Sequence, residues 1–578
     1  MKNKAIAGLL YEIAELLTLN NESIFRIRAY ERAAQTLDTM AESVDVVARE
    51  GRLRDIAGIG ESIAEKIEEY LASGKIAYHE ELAARFPQGL LEMMAVPGVG
   101  PKKARALFDR LHISSVPELE AAAGAGKIRT LAGFGKKSED NILKSIATQK
   151  QSAGRMLLSE ALALSKEIMA QCSGIAGVSR MDAAGSLRRY RETIGDVDIL
   201  CAATESGRKK AIERFTSLAG VERVLAAGPE KSSVVFEGGV QADMRVIEPA
   251  SYGAALQYFT GSKAHNVTLR TLAKRKGFTI NEYGIFRIGE KAPVAAKTEE
   301  EVYAALGLDW IAPELREDTG EIEAAATGAL PRLVELKDIK GDVHVHSTYS
   351  DGKNSIEEMA AEAQRRGYEW IIITDHSQSL KIARGLSVET MRKKLKEIER
   401  LNARYTDFRI LCGTEIDILS HGNLDYPRSV LEELDFVLAS IHTGFKQDEE
   451  TITGRVTKAL ENKFTHCLGH PTGRLIGKRP AYALNMERVL DTARRAGKMI
   501  EINSFPERLD LADVYCRKAK ELRVKLAIGT DAHTTGHLGF MELGISVARR
   551  GWLEKNDIIN TLSYKELMEY LKKRREHL

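Results

Sequence analysis

Cysteine is sparse and scattered in this chain: Cys172, Cys201, Cys412, Cys467 and Cys516 stand far apart, and none falls in a CxxC spacing. That argues against a zinc knuckle or a disulfide framework and fits a reducing cytosol. No uninterrupted apolar run is long enough to cross a bilayer. The opening stretch MKNKAIAGLLYEIAELL is broken by Glu12 and Glu15 and lacks a cleavage-site pattern, so it reads as an amphipathic helix and not as a secretion signal. An excess of one charge is lacking too. The 84 Lys and Arg against 82 Asp and Glu leave a formal net charge of +2, so any nucleic-acid surface has to be local. Pro101 to Lys150, where Lys and Arg outnumber Asp and Glu, is one candidate. The length of 578 residues allows several domains with full cores, roughly three or four units of about 150 residues.

Three turns in the first quarter look alike. LRDIAGIGESIAEKI carries Gly58 and Gly60, LLEMMAVPGVGPKKARAL carries Gly98 and Gly100, and IRTLAGFGKKSEDNIL carries Gly133 and Gly135, each pair between two apolar helical segments. In each, the second glycine is placed to open the following helix. Glycine removes the Cβ, so the backbone can approach a phosphate, and the free N–H groups of the next helix's first turn can donate to it. The pattern resembles the helix-hairpin-helix, which grips nucleic-acid backbone without reading bases. Lys102, Lys103 and Arg105 add cations after the second copy. Two helical domains are expected, 1–80 with the first hairpin and a fingers-type DNA-binding domain over 81–150.

GSLRRYRETIGDVDIL, Gly185 to Leu200, holds two aspartates one residue apart in an apolar run. As a strand it points Asp196 and Asp198 to one face, and Val197 and Ile199 into a core. Gly185, Ser186 and Arg189 supply small and cationic groups suited to anionic oxygens. VQADMRVIE adds Asp243, alternating with Ala242 and Met244. Three aspartates on neighbouring strands can bridge two divalent cations. One activates an attacking 3′-hydroxyl, and the other holds a triphosphate and its leaving pyrophosphate. That chemistry is phosphoryl or nucleotidyl transfer.

These motifs, with QYFTGSKAHNVTLRTLAKRKGFTINEYGIF from Gln257 to Phe286, resemble the palm and thumb of family X DNA polymerases, the group that includes DNA polymerase beta. With the hairpins, the resemblance covers Lys2 to Pro313. It implies a nucleotidyltransferase palm over 151–249, an α+β thumb over 250–312, and synthesis on gapped or primer-template DNA from deoxynucleoside triphosphates with Mg2+ or Mn2+. Asp196, Asp198 and Asp243 become the catalytic metal ligands, and Ser186, Arg189 and Arg155 the triphosphate binders. Tyr258, Phe259 and Gly261 pack against the nucleotide sugar, and Asn266 contacts the incoming base. Arg270 meets the template strand, and Glu282 holds Arg270 in the closed state. The resemblance also offers Lys66 a role as a Schiff-base nucleophile on an abasic sugar phosphate. Glu61, Glu65, Glu68 and Glu69 would keep that ammonium charged, so a surface lysine is the expected reading.

PELREDTGEIEAAATGALPRL is acidic and Ala-rich and reads as a linker, 313–332. Beyond it, apolar runs precede polar clusters in IKGDVHVHSTYSDG, YEWIIITDHS, FRILCGTEID, FVLASIHTG, THCLGHPTG, MIEINSF and VKLAIGTDAH, with helical segments between. Alternating strands and helices with functional groups at strand ends describe a βα-barrel whose site lies at its C-terminal rim. The candidate ligands are His344, His346, Asp351, His376, Glu415, His442, His470, Asp531 and His533. Imidazole and carboxylate without thiolate suit zinc, manganese or iron, and nine ligands point to a cluster of two or three ions bridged by Glu415. The set is similar to the polymerase and histidinol phosphatase (PHP) domain, here 333–578, which implies a metal-dependent phosphoesterase with Mn2+ or Zn2+. Arg474, Lys478 and Arg479 after the GHP loop are candidates for holding a DNA backbone.

The expected protein is therefore multidomain α and α/β: helical hairpins, a nucleotidyltransferase palm with its thumb, and a distorted TIM-like PHP barrel. Its expected activity is gap-filling synthesis in DNA repair plus 3′-5′ exonuclease action, with 3′-end cleaning or abasic-site cleavage as extensions. It is expected to act in the cytoplasm as a monomer, on DNA and away from membranes. The alternatives are a PHP domain that is a scaffold, one that hydrolyses small phosphomonoesters, or a nucleotidyltransferase that needs no template.

Overall fold

The computed structural model describes residues 2–576 except 40–43, 57, 95, 97, 132, 153 and 154. The chain forms two units, Met1–Ala153 and Gly154–Leu578. The described part of the first unit is helical. Its opening helix, Lys2–Leu19, buries Ile6, Leu10, Ile13 and Leu17, an i, i+4, i+7 stripe that packs on the helix Ile24–Thr39. The three hairpins share one backbone: Gly58, Gly98 and Gly133 have φ of +90°, +95° and +88°, the left-handed region that a Cβ disfavours. Gly60 caps α1 (Glu61–Ser73), Gly100 caps α2 (Pro101–Leu111), and Gly135 precedes α3 (Lys136–Ser152). A Cβ added at Gly60, Gly100 or Gly135 meets nothing within 4 Å, so each hairpin is open on that side.

In the second unit a five-stranded sheet has the order β1-β2-β5-β4-β3, with β1 Val178–Ala183, β2 Asp196–Ala203, β3 Val221–Ala227, β4 Lys231–Phe236 and β5 Val240–Ile247. Only β2 and β5 pair in parallel. The two-residue period holds on β2, where Val197 and Ile199 are buried in the core and the two aspartates face the other way. A short helix, α4 (Gly185–Arg188), follows β1. The thumb segment supplies α5 (Tyr252–Thr260), α6 (Lys263–Arg275) and a three-stranded antiparallel sheet.

Residues 313–332, expected as a linker, are packed. Arg316 and Glu321 are fully buried. Arg316 pairs with Glu299 at 2.6 Å, and Glu321 Oε1, at the start of α7 (Glu321–Ala326), lies 2.7 Å from His265 Nδ1 on α6. Composition read the stretch as a linker, but three of its acids, Glu314, Glu317 and Glu321, have found guanidinium, imidazole or backbone N–H partners.

Seven parallel strands then run in sequence order: β6 Gly341–Val345, β7 Trp370–Ile373, β8 Arg409–Asp417, β9 Phe436–Ser440, β10 Cys467–Leu468, β11 Met499–Asn503 and β12 Leu526–Gly529. A bridge between Val345 and Ala532 brings the last strand's exit back to the first, nearly closing the barrel. Runs such as Trp370–Ile373 are apolar on both faces because helices, among them α8 (Val388–Asn402) and α9 (Met541–Arg550), cover the outside. Buried apolar residues of the five-stranded sheet's domain and of the barrel form one continuous core, and Arg474 of the barrel reaches Glu192 at 2.7 Å. The two are therefore packed together and not tethered. No helix among the described residues is long and apolar enough to cross a membrane.

Candidate metal centres

The parallel register of β2 and β5 sets Asp198 opposite Asp243. One oxygen from each of Asp196, Asp198 and Asp243 lies within 4.8 Å of the others. Burial, reinforced by the charges of Asp196 and Asp243, pushes the Asp198 carboxyl up to about 7. Burial acts upward on Asp243 as well, but Lys231 Nζ at 2.7 Å and Gln241 Nε2 at 2.9 Å outweigh it and hold that carboxyl below its usual range. Three carboxylates this close need positive charge between them, so the oxygen donor set fits a divalent cation. Gly185 makes room for it: with φ of +58°, a Cβ there would lie 2.0 Å from Asp198 Oδ2.

The expected triphosphate binders surround this turn, and most are engaged with protein. Arg189 donates from Nη1 to the Thr260 carbonyl at 2.5 Å and from Nε to Glu317 at 3.1 Å. Its neighbour Arg188 holds Glu299 at 2.7 Å and the Thr260 hydroxyl at 2.7 Å. Arg155 donates to the Thr193 hydroxyl at 3.0 Å, beside Gly195 and one step from Asp196. Tyr258 and Phe259 meet edge to face at 5.1 Å just before Gly261, whose φ is +70°. Asn266 is nearly buried and donates to the Tyr258 carbonyl at 2.7 Å. Arg270 lies over the Tyr258 ring, 5.6 Å from its centroid. Among the described residues it makes no ion pair with Glu282, so the expected contact between those two is not made in this arrangement. In the first unit, Lys66 donates to the Ser62 carbonyl and hydroxyl, both at 3.0 Å, and lies over the Tyr78 ring, while Lys102 is exposed.

The barrel places its ligands at strand ends on the C-terminal rim. His344 and His346 stand at the end of β6, His376 after β7, Glu415 on β8, His442 after β9, His470 after β10, and Asp531 and His533 after β12. Glu415 is the hub, with His470 Nε2 at 2.7 Å, His376 Nδ1 at 2.9 Å, His442 Nε2 at 3.1 Å, His344 Nε2 at 3.4 Å and His346 Nε2 at 3.6 Å. Three groups have ligand atoms within 4.8 Å of one another: His346, Asp351, His376 and His533; His344, His346 and Asp531; and His376, Glu415 and His442. The Nε2 atoms of His344 and His346 are only 3.1 Å apart. The buried Nδ1 atoms of His346 and His470 have no hydrogen-bond partner among the described residues. Imidazole nitrogens that converge with unshared lone pairs fit shared cations. The electrostatics are uneven. Burial and the neighbouring His533 and His376 push His346 down to about 4, whereas Glu415 and Asp417 overcome burial and raise His442 to about 9. Backbone strain accompanies the site, with His470 at φ +23° and Asp531 at φ +54°.

Several supporting residues escaped the sequence reading. Glu501 on β11 accepts from His344 Nδ1 at 2.6 Å and from the His470 backbone N–H at 2.5 Å, and Asp417 lies 2.6 Å from His442 Nδ1. These carboxylates fix which imidazole nitrogen faces the cluster. Behind His376, the buried Asp375 accepts from Ser347 and Ser350 and pairs with the buried Lys394 of α8 at 3.0 Å. Arg508 Nε lies 3.4 Å from Asp531 Oδ2, and its buried Nη1 has no partner among the described residues. By contrast, two of the cations expected to hold DNA are taken up by acids: Arg474 by Glu192 and Lys478 by Glu507 at 2.8 Å. The third, Arg479, donates to the Gly473 carbonyl and lies over the Phe445 ring. They bind loop to loop because acids and carbonyls sit opposite them in the fold.

Comparison with known proteins agrees with this layout. A helix-hairpin-helix domain matches residues 1–76, a SAM-like helix-hairpin-helix tandem 90–148, the DNA polymerase beta thumb 255–317, and the PHP domain 342–505. The DNA polymerase/3′-5′ exonuclease PolX of Bacillus subtilis (strain 168) is 38% identical over 575 residues, 99% of this chain and 100% of the relative. A "Probable phosphatase" of Thermoanaerobacter sp. (strain X514) is 32% identical over 253 residues, 41% of this chain and 96% of the relative. Another "Probable phosphatase", from Acetivibrio thermocellus, is 29% identical over 246 residues, 41% of this chain and 97% of the relative.

Proposed function

This chain belongs to the PolX family of DNA polymerase/3′-5′ exonucleases, and from that premise we propose how its two centres divide the work on DNA. The aspartate centre adds deoxynucleotides at a primer 3′ end in short gaps, and the histidine-rich centre removes them. Divalent ions, Mg2+ or Mn2+ at the aspartates and Mn2+ or Zn2+ at the histidines, supply when bound the charge that activates a hydroxyl or water and neutralises phosphate oxygens.

The chain's own residues do the rest. Asp196, Asp198 and Asp243 hold the ions, and Lys231 releases Asp243 as they enter. Ser186, Arg189 and Arg155 receive the triphosphate. Tyr258 to Gly261 pack against the sugar, and Asn266 and Arg270 meet base and template once they leave their present partners. The hairpins grip backbone phosphates through the open sides at Gly60, Gly100 and Gly135, with Lys102 adding charge. At the barrel rim, His344, His346, Asp351, His376, Glu415, His442, His470, Asp531 and His533 hold the cluster, Glu501 and Asp417 orient its imidazoles, and Arg508 faces the phosphodiester. Lys66 remains a surface lysine.

The observation that carries this reading is the presence of two separate, complete donor sets, one of three aspartates and one centred on Glu415. The test is separation of function on a gapped duplex with a 3′-labelled primer. Asp198→Ala loses nucleotide addition and keeps hydrolysis, and His344→Ala does the reverse. If either change abolishes both activities in folded protein, the two-centre reading is wrong. The phosphatase-named relatives favour a second reading of the barrel, hydrolysis of phosphate monoesters. Under that reading the protein releases phosphate from a 3′-phosphorylated primer or a small monoester and leaves 3′-hydroxyl primers intact.

A further inference from the structure

Glu317 lies where the thumb, the metal-bearing sheet's turn and the barrel meet. Its Oε1 takes Arg189 Nε at 3.1 Å from one side and Arg550 Nη1 at 3.0 Å from the other, with Arg191 at 3.9 Å. Arg550 belongs to α9 of the barrel. It also donates to the Arg189 carbonyl at 2.8 Å and holds Asp513 of the barrel at 2.7 Å. One carboxylate is thus shared by a guanidinium of the polymerase centre and a guanidinium of the nuclease domain. Arg189 is three residues past Ser186, and its other named contact is the Thr260 carbonyl beside Gly261.

We propose that Glu317 competes with the incoming triphosphate for Arg189, and that Arg550 of the barrel sets how readily Glu317 gives way. This rests on the reading above that Arg189 binds the triphosphate. A triphosphate oxygen and a carboxylate want the same face of a guanidinium, so one must leave before the other binds. Glu317 would be costly to strand as an unpaired, half-buried charge. Arg550 and Arg191 remove that penalty, because Glu317 stays compensated when Arg189 turns to the nucleotide. The nuclease domain thereby contributes a positioning residue that determines nucleotide affinity at the polymerase centre.

The test is steady-state gap filling by full-length protein with the deoxynucleoside triphosphate concentration varied, alongside the nucleotide-free exonuclease rate, which reports that the barrel is folded. Glu317→Gln, close to isosteric, should lower KM for the nucleotide about fivefold with kcat little changed. Arg550→Met should raise KM by a similar factor, and Arg550→Lys should recover part of it. The double variant should match Glu317→Gln alone, since without the carboxylate Arg550 has nothing to draw away. A KM that rises in Glu317→Gln, or single effects that simply add in the double variant, overturns the proposal. If Arg550→Met loses exonuclease activity through misfolding, the direction of the Glu317→Gln change decides. Arg189→Gln separates the two claims. An unchanged KM there refutes the nucleotide-site reading itself, whereas a raised KM with no gain in Glu317→Gln refutes only the competition.

Discussion

Gly185→Ala should disable the polymerase centre through a single methyl group. Two costs follow from the local geometry. The backbone sits at φ +58°, where an L side chain costs about 1–2 kcal/mol. The new Cβ would stand 2.0 Å from Asp198 Oδ2 and 3.0 Å from its Cγ, against ordinary contact beginning at 3.4 Å. The carboxylate must therefore retreat by roughly 1.4 Å or the turn must open, and a misplacement of about 1 Å in a positioned group costs on the order of 100-fold in rate. We expect nucleotide addition to fall by at least about 100-fold, close to 3 kcal/mol of barrel-independent transition-state stabilisation. Thermal stability of the second unit should fall by about 1–2 kcal/mol, and exonuclease rate should stay near wild type. The assay is primer extension on a gapped duplex, with the nucleotide-free exonuclease rate and a melting curve from the same preparation. Gly454→Ala is the control, because it lies inside the helix Glu449–Glu461 and a Cβ there meets nothing within 4 Å. If Gly185→Ala extends primers at the wild-type rate, the claim that this glycine makes room for a metal-binding Asp198 is refuted.

Two further outcomes are expected. Glu501→Gln removes the charge that orients His344 and should weaken metal binding at the barrel about 10- to 100-fold, measured by metal titration, with nucleotide addition unaffected; equal affinity in variant and wild type counts against the orienting role. Burial alone would raise the Glu299 carboxyl, but Arg316 and Arg188 hold it well below the usual range, so its stabilising contribution is present above about pH 4.5 and declines as pH falls below that value. Glu299→Gln should cost the second unit about 3–5 kcal/mol at neutral pH by leaving two guanidiniums uncompensated, and the gap to wild type should narrow in acid; parallel melting curves between pH 7 and pH 3 would contradict this.

Much of both centres was legible because the chemistry needs residue types at spacings that strands impose. Asp196 and Asp198 share a face in any extended backbone, and ligands such as His376, His470 and Asp531 follow apolar runs whose ends a parallel barrel gathers at one rim. What escaped is what only the third dimension supplies. Glu501 sits in MIEIN like any strand glutamate, and nothing local says that His344, far away in sequence, donates to it. The acidic stretch after Pro313 read as a linker because composition records charge and not partners. Arg316, Glu317 and Glu321 in fact meet Glu299, Arg550 and His265. Arg474 and Lys478 were over-read for the same reason, since their neutralising acids Glu192 and Glu507 lie elsewhere in the chain.

The pairing of Asp198 with Asp243 restricts which length changes the gene can tolerate. Each residue of β2 between its start and Asp198, and each residue of β5 before Asp243, is counted by the alternation of faces. One codon inserted or deleted in either strand turns an aspartate into the core and an apolar neighbour such as Met244 into the cleft. A two-codon change restores the face but shifts the carboxylate by about 6–7 Å along the sheet. Length variation in this part of the chain should therefore collect in the turns, such as Gly238 and Gly239 between β4 and β5, while the two strands keep a fixed number of residues.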